Sequence, residues 1–144
     1  MFRTTPAGVA IGNTDTALLD LASLNSDAGN HSITTSFSAN IMASAVVRVR
    51  HTDTEFGDLL CRLQISDPSG PGLTDMGDPS TTTLPPASGP SGIHDVTVPT
   101  VGGTIKAPGT YNVRVSCAAT VVNTSPAFLG GNLNVWAVAA PTPP

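Results

Sequence analysis

Ser44–His51 reads SAVVRVRH. Ala45, Val47 and Val49 fall on one parity, Arg48 and Arg50 on the other. That is the period-2 alternation of a strand with one buried face. The same alternation recurs on both sides of this stretch. In His31–Ile41, Ile33, Thr35, Phe37, Ala39 and Ile41 share a parity against Ser32, Thr34, Ser36, Ser38 and Asn40. In Leu59–Ser66 (LLCRLQIS), Leu59, Cys61, Leu63 and Ile65 read as inward, with Arg62 and Gln64 outward. Thr110–Ala119 sets Tyr111, Val113, Val115 and Cys117 against Asn112, Arg114 and Ser116. Asn132–Ala139 sets Leu133, Val135 and Ala137 against Asn132, Asn134 and Trp136. Ile93–Thr100 and Val101–Lys106 read as two more strands, with turns at Gly102-Gly103 and Pro108-Gly109. Thr16–Leu24 suits either a short helix, through Leu18, Leu21 and Leu24, or a strand, through Ala17, Leu19, Leu21 and Ser23.

Composition points the same way. The chain has 144 residues, the span of one domain. Charged residues make up 11% against roughly 25% in an ordinary soluble domain. Thr (19) and Ser (13) take their place, and 14 Gly with 13 Pro mark many turns. Lys106 and Glu55 are the only lysine and glutamate, so the residues of solvated helix surfaces are missing. The expectation is an all-β, jelly-roll-like β-sandwich of about eight short antiparallel strands over residues 16–140. Residues 1–15 read as an N-terminal arm, and 141–144 as an extended tail. The Pro- and Gly-rich stretch from Asp67 to Gly92 reads as a surface excursion, with a short strand near Thr81–Leu84.

The charge pattern narrows the partners. Net charge is −4 with six basic residues, which argues against a nucleic-acid groove. No apolar run approaches a membrane span. The start Met1-Phe2-Arg3-Thr4-Thr5-Pro6 has no basic stretch followed by an apolar run, so no secretory leader is expected.

Chemistry-bearing residues are sparse. Cys61 and Cys117 share the inward parity and form a disulfide if their strands are neighbours or face each other; otherwise they are buried thiols. His31, His51 and His94 lie in three separate segments, with no metal-ligand or nucleophile motif around them. Asp53, Glu55 and Asp58, and then Asp67, Asp75 and Asp78, are acidic clusters without calcium-loop spacing; they read as solvated turns. Asn30-His31-Ser32 and Asn123-Thr124-Ser125 match the glycosylation sequon, without functional weight here. The expectation is no catalytic residue, no metal and no cofactor. The candidates that remain are contact residues: Phe2 and Arg3 on the arm, the outward Arg48, Arg50, Arg62 and Arg114, and Trp136.

Three segments carry a resemblance. They are ALLDLASLNSDAGNHSITTSFSA, LLCRLQIS, and APGTYNVRVSC followed by LGGNLNVWAVA. Together they resemble small jelly-roll structural proteins of actinobacteria and their phages, which share the pattern of trimeric C1q/TNF-like sandwiches. The resemblance covers about residues 16–66 and 93–139. It implies a non-enzymatic virion protein that decorates and stabilises the outer surface of a phage head, a homotrimer partnered with the major capsid protein. Such a protein is assembled in the host cytoplasm and resides on the capsid surface. The competing reading is a receptor- or glycan-binding module of a tail fibre or cell-surface adhesin, with 67–92 as its contact loop.

Overall fold

The computed structural model describes residues 8–20, 32–67, 72–87, 92–120 and 123–141. Among these, nine strands form and no helix does: β1 (Thr16–Asp20), β2 (Ile33–Thr35), β3 (Ala39–His51), β4 (Gly57–Ser66), β5 (Leu73–Asp75), β6 (Ser80–Leu84), β7 (His94–Lys106), β8 (Gly109–Thr120) and β9 (Ala127–Ala139). They make two antiparallel sheets. One runs β1-β8-β4-β5, with β2 also on β8 and β6 also on β4; the other runs β7-β3-β9. The sheets pack as a sandwich, and the inward parities of both fill the space between them. Ile41, Val47 and Val49 from β3 meet Leu59, Ile65, Val113 and Val115 from the opposite sheet, in one core that includes Phe128 and Leu133. The all-β expectation is met, and Ser44–His51, Leu59–Ser66 and Thr110–Ala119 bury the parity of their apolar residues.

Four local readings change. The first is Thr16–Leu24. Its described part is a strand, and the register slips between Ala17 and Leu19, so Leu18 and Leu19 are both buried. A bulge lets two consecutive residues enter one core, which neither periodicity predicts. The second is His31–Ile41, which is not one strand. Ile33–Thr35 pairs with β8, and the chain changes sheet at Ser36–Ser38 before β3 begins. Phe37, expected inward, lies at that crossing and is exposed. In turn β3 runs unbroken from Ala39 through Ser44–His51.

The third is the turn at Gly102-Gly103, which does not form; β7 runs through both glycines. The reason for a glycine at 102 is close approach. A Cβ there would lie 1.7 Å from the carbonyl oxygen of Met76. Met76 belongs to the 67–92 excursion, and its own N–H donates to the Leu63 carbonyl at 2.9 Å while its side chain is buried. The excursion is therefore structured in its described part. β5 and β6 both extend β4, and Met76, Leu84 and Ala87 enter the interior.

The fourth is the arm. Its described residues 8–15 belong to the body of the fold. Ile11 is fully buried in the core, and Ala10 bridges Ala127. Gly8 N–H donates to Phe128 O, Phe128 N–H to Val9 O, Ile11 N–H to Pro126 O, and Ala119 N–H to Gly12 O. The apolar run Val9-Ala10-Ile11 is too short, between Gly8 and Gly12, to carry a periodicity, so sequence patterning missed it. Phe2 and Arg3 lie outside the described residues.

Candidate interaction surface

The outer faces of the two sheets differ in kind. On the β7-β3-β9 face, the central row is Asn40, Met42, Ser44, Val46, Arg48 and Arg50. Register places Val138 and Ile105 beside Asn40, Trp136 and Gly103 beside Met42, Asn134 and Val101 beside Ser44, and Asn132 and Pro99 beside Val46. One end of this face is apolar and open to solvent: Val101 is 72% exposed, Ile105 64%, Val138 51% and Trp136 42%. The other end is cationic. Arg50 holds Asp95 through two parallel bonds, Nε to Oδ1 at 2.8 Å and Nη2 to Oδ2 at 3.0 Å. The Arg50 hydrogen bond holds the Asp95 carboxyl below the ordinary carboxylate range, with the charges of Arg50, Arg48 and His94 adding to it. The same hydrogen bond, then the Asp95 charge, raises Arg50. Arg48 stands exposed next to this pair and makes no hydrogen bond or ion pair with the described residues.

The opposite outer face is polar and closed on itself. Arg62 Nη1 bonds Asp75 Oδ2 at 3.2 Å, and its Nε lies 3.4 Å from Asp15 Oδ2, an ion pair that does not meet hydrogen-bond geometry. Gln64 donates from Nε2 to Asp75 Oδ1 at 3.1 Å. Its Oε1 accepts from Arg114 Nε at 3.2 Å and from Ser116 Oγ at 3.1 Å. Gln64 and Ser116, expected to face solvent, are buried beneath this network. Of the four outward arginines, Arg62 and Arg114 therefore work inside the chain, Arg50 is paired, and Arg48 has no ion pair among the described residues.

Cys61 and Cys117 sit opposite each other on the adjacent strands β4 and β8 and are joined as a disulfide, Cα to Cα 4.1 Å. Register thus selects neighbours over facing strands. His51 and His94, distant in sequence, are cross-strand partners at the ends of β3 and β7. His51 is fully buried, and its Nδ1 lies 2.8 Å from the Pro85 carbonyl oxygen, so that nitrogen carries the proton. His31 lies outside the described residues. No group of three His, Cys, Asp or Glu side chains is gathered as a metal site among the described residues.

The acidic residue with a definite role is Asp53. It is buried, not a solvated turn residue. Its carboxylate accepts the N–H groups of Asn123 (2.6 Å), Thr124 (3.0 Å) and Glu55 (3.1 Å), and the Asn123 side-chain amide at 3.2 Å. These donors, the Asn123 N–H first, drive its pKa far below the ordinary carboxylate value. Asp53 ties the β3–β4 connection to the segment before β9, about 70 residues away in sequence. Asp75 of the second acidic cluster is held by Arg62 and Gln64. Comparison with protein-family models finds no match, and comparison with curated proteins finds none either.

Proposed function

We propose that this chain is a non-catalytic structural protein that attaches to a larger assembly as a homo-oligomer. The assembly to which its sequence resemblance points is the outer surface of a phage head. The observation that supports this reading best is the contrast between the two outer faces. One ties Arg62, Gln64, Arg114 and Asp75 to one another, while the other presents Trp136, Val138, Ile105 and Val101 to solvent at one end and, at the other, Arg48, which has no ion pair among the described residues. Exposed apolar residues rimmed by polar ones mark contact surfaces, and Trp and Arg are the side chains enriched there. A disulfide between two central strands of one sheet suits a protein that works in an oxidising medium, as a released particle does. The jelly-roll arrangement and the capsid partner come from the resemblance.

The test is a mixing experiment with undecorated phage shells from the source. The full chain is expected to sediment with shells, and the Arg48→Glu and Val101→Asp variants to bind more weakly without loss of the β spectrum. If the full chain binds no shell but is retained by a glycan or a host cell surface, the decoration reading falls and the adhesin reading replaces it.

A further inference from the structure

The edges of the two sheets are not protected alike. In the larger sheet the outer strands β1, β2, β5 and β6 are only three to five residues long. Short edge strands are poor templates for another chain. In the smaller sheet, β7 carries His94, Asp95 and Lys106, contains Pro99, and has Met76 packed on Gly102. Charge, proline and cover are the usual means of blunting an edge. β9 has no charge and no proline, and is covered only at its start. It is 13 residues long, and from Ala127 to Pro141 the sequence has no charged residue. Residues 8–11 occupy its free side only at Pro126–Phe128, and among the described residues nothing pairs with that side from Gly130 to Ala139.

The register shows which backbone groups are open. Phe128 gives its N–H to Val9 and its C=O to Gly8, so both groups point away from β3. Its partner Val49 is therefore in a non-hydrogen-bonded pair with it, and the alternation continues along β3 through Val47, Ala45, Ala43 and Ile41. Their partners Gly131, Leu133, Val135 and Ala137, and then Ala139, direct their N–H and C=O groups to the free edge.

We infer that this edge pairs antiparallel with β9 of a second copy, about a two-fold axis at Val135. Only a register that sets odd residues opposite odd residues joins the open groups, and centring it on Val135 uses all of 131–139. It then forms about ten hydrogen bonds, the number carried by a standard protein interface. Neither strand brings a charge to be desolvated, so the edge is complementary to itself. The outer face gains as well. Each Trp136 lies diagonally across the axis from its copy, within reach of an aromatic contact, and the apolar ends of both faces join into one surface. The pairing closes at two copies, not at the three that the sequence resemblance implies. It requires a second copy but no shell.

Sedimentation velocity of the full chain at micromolar concentrations reads the outcome. A dimer is expected, and emission of Trp136, the sole tryptophan, shifts to the red as dilution separates it. Val135→Pro removes one open N–H while sparing the bonds to β3, and is expected to be monomeric with an unchanged far-UV spectrum. Trp136→Lys sets like charges across the axis and is expected to be monomeric too; it decides the matter if the proline variant does not fold. A chain lacking residues 1–7 is expected to remain dimeric. The inference is overturned by a monomeric or trimeric full chain, by a folded Val135→Pro that dimerises as the parent does, or by loss of the dimer on removing residues 1–7. A dimer that ignores shells sinks the decoration reading and not this one; a monomer that binds shells does the reverse.

Discussion

Asp53 shows how one side chain ties distant loops together, and it makes a prediction in pH. Its folded-state pKa lies below its unfolded value of about 3.9. Such a group contributes stability that is present in full above the unfolded pKa and is lost as pH falls below about 4 toward the folded value. Asp53→Asn keeps the shape but loses the charge. Its melting midpoint is expected several degrees below the parent's at pH 7, with the gap narrowing steadily as pH falls below about 4 toward the folded-state value. Thermal melts followed by circular dichroism across that range check it; a gap independent of pH would show that the carboxylate's charge is not what holds the loops. Arg50 gives the opposite case. Its pair with Asp95 has ideal fork geometry but is about two-fifths exposed on both sides. Solvent screens such a pair, so Arg50→Ala is expected to leave the midpoint unchanged within error.

At the scale of elements, contacts between neighbouring layers matter more than the strands' own propensities. β7 passes under the Met76 carbonyl only because residue 102 has no side chain, and β9 passes the Val46 carbonyl because residue 131 has none; a Cβ at 131 would lie 2.2 Å from that oxygen. In both places the obstacle is backbone, which yields little. Gly102→Ala and Gly131→Ala are each expected to cost about 1–3 kcal/mol, the range for overpacking an interior. Urea denaturation measures this, and a parent-like midpoint would mean that the strands can separate freely. The β4–β8 pair is locked in another way. Its disulfide spans 56 residues of sequence, and the loop-closure entropy removed from the unfolded chain corresponds to about 4 kcal/mol. Replacing both Cys61 and Cys117 by alanine is expected to lower stability by about that amount, read as the shift in urea midpoint against the oxidised parent.

For the whole molecule, the pairings are almost all distant. Ala39 pairs with Ala139, and β3 takes both its neighbours, β7 and β9, from the second half of the chain. Long-range pairing of this kind folds in milliseconds to seconds, because loops must close before contacts form. The disulfide holds β4 and β8, the two central strands of the larger sheet, within reach in the unfolded state. Refolding of the oxidised chain is therefore expected to be faster than that of the Cys61→Ala/Cys117→Ala variant. Stopped-flow circular dichroism compares the two; equal rates would place β4–β8 pairing after the rate-limiting step.

The alternation in Ser44–His51, Leu59–Ser66, Thr110–Ala119 and Asn132–Ala139 determined by itself that these segments are strands and which parity turns inward, though not that Gln64 and Ser116 on the outward parity are buried as well. The period of a strand is local, and burial of one parity follows from it. Sequence also marked Trp136 and Arg48 as outward and Cys61 and Cys117 as inward on their strands. What it did not hold was who stands next to whom. Nothing local to Asp53 names Asn123, nothing local to Gly102 names Met76, and Ile11 has no pattern around it to announce that it is core. Arg62 and Arg114 read like Arg48 along the chain, yet register alone puts Gln64, Asp75 and Asp15 within their reach. The open edge of β9 is of the same kind: its lack of charge is written in the sequence, but that it lies at the border of a sheet is a property of pairing order, which only the tertiary structure fixes.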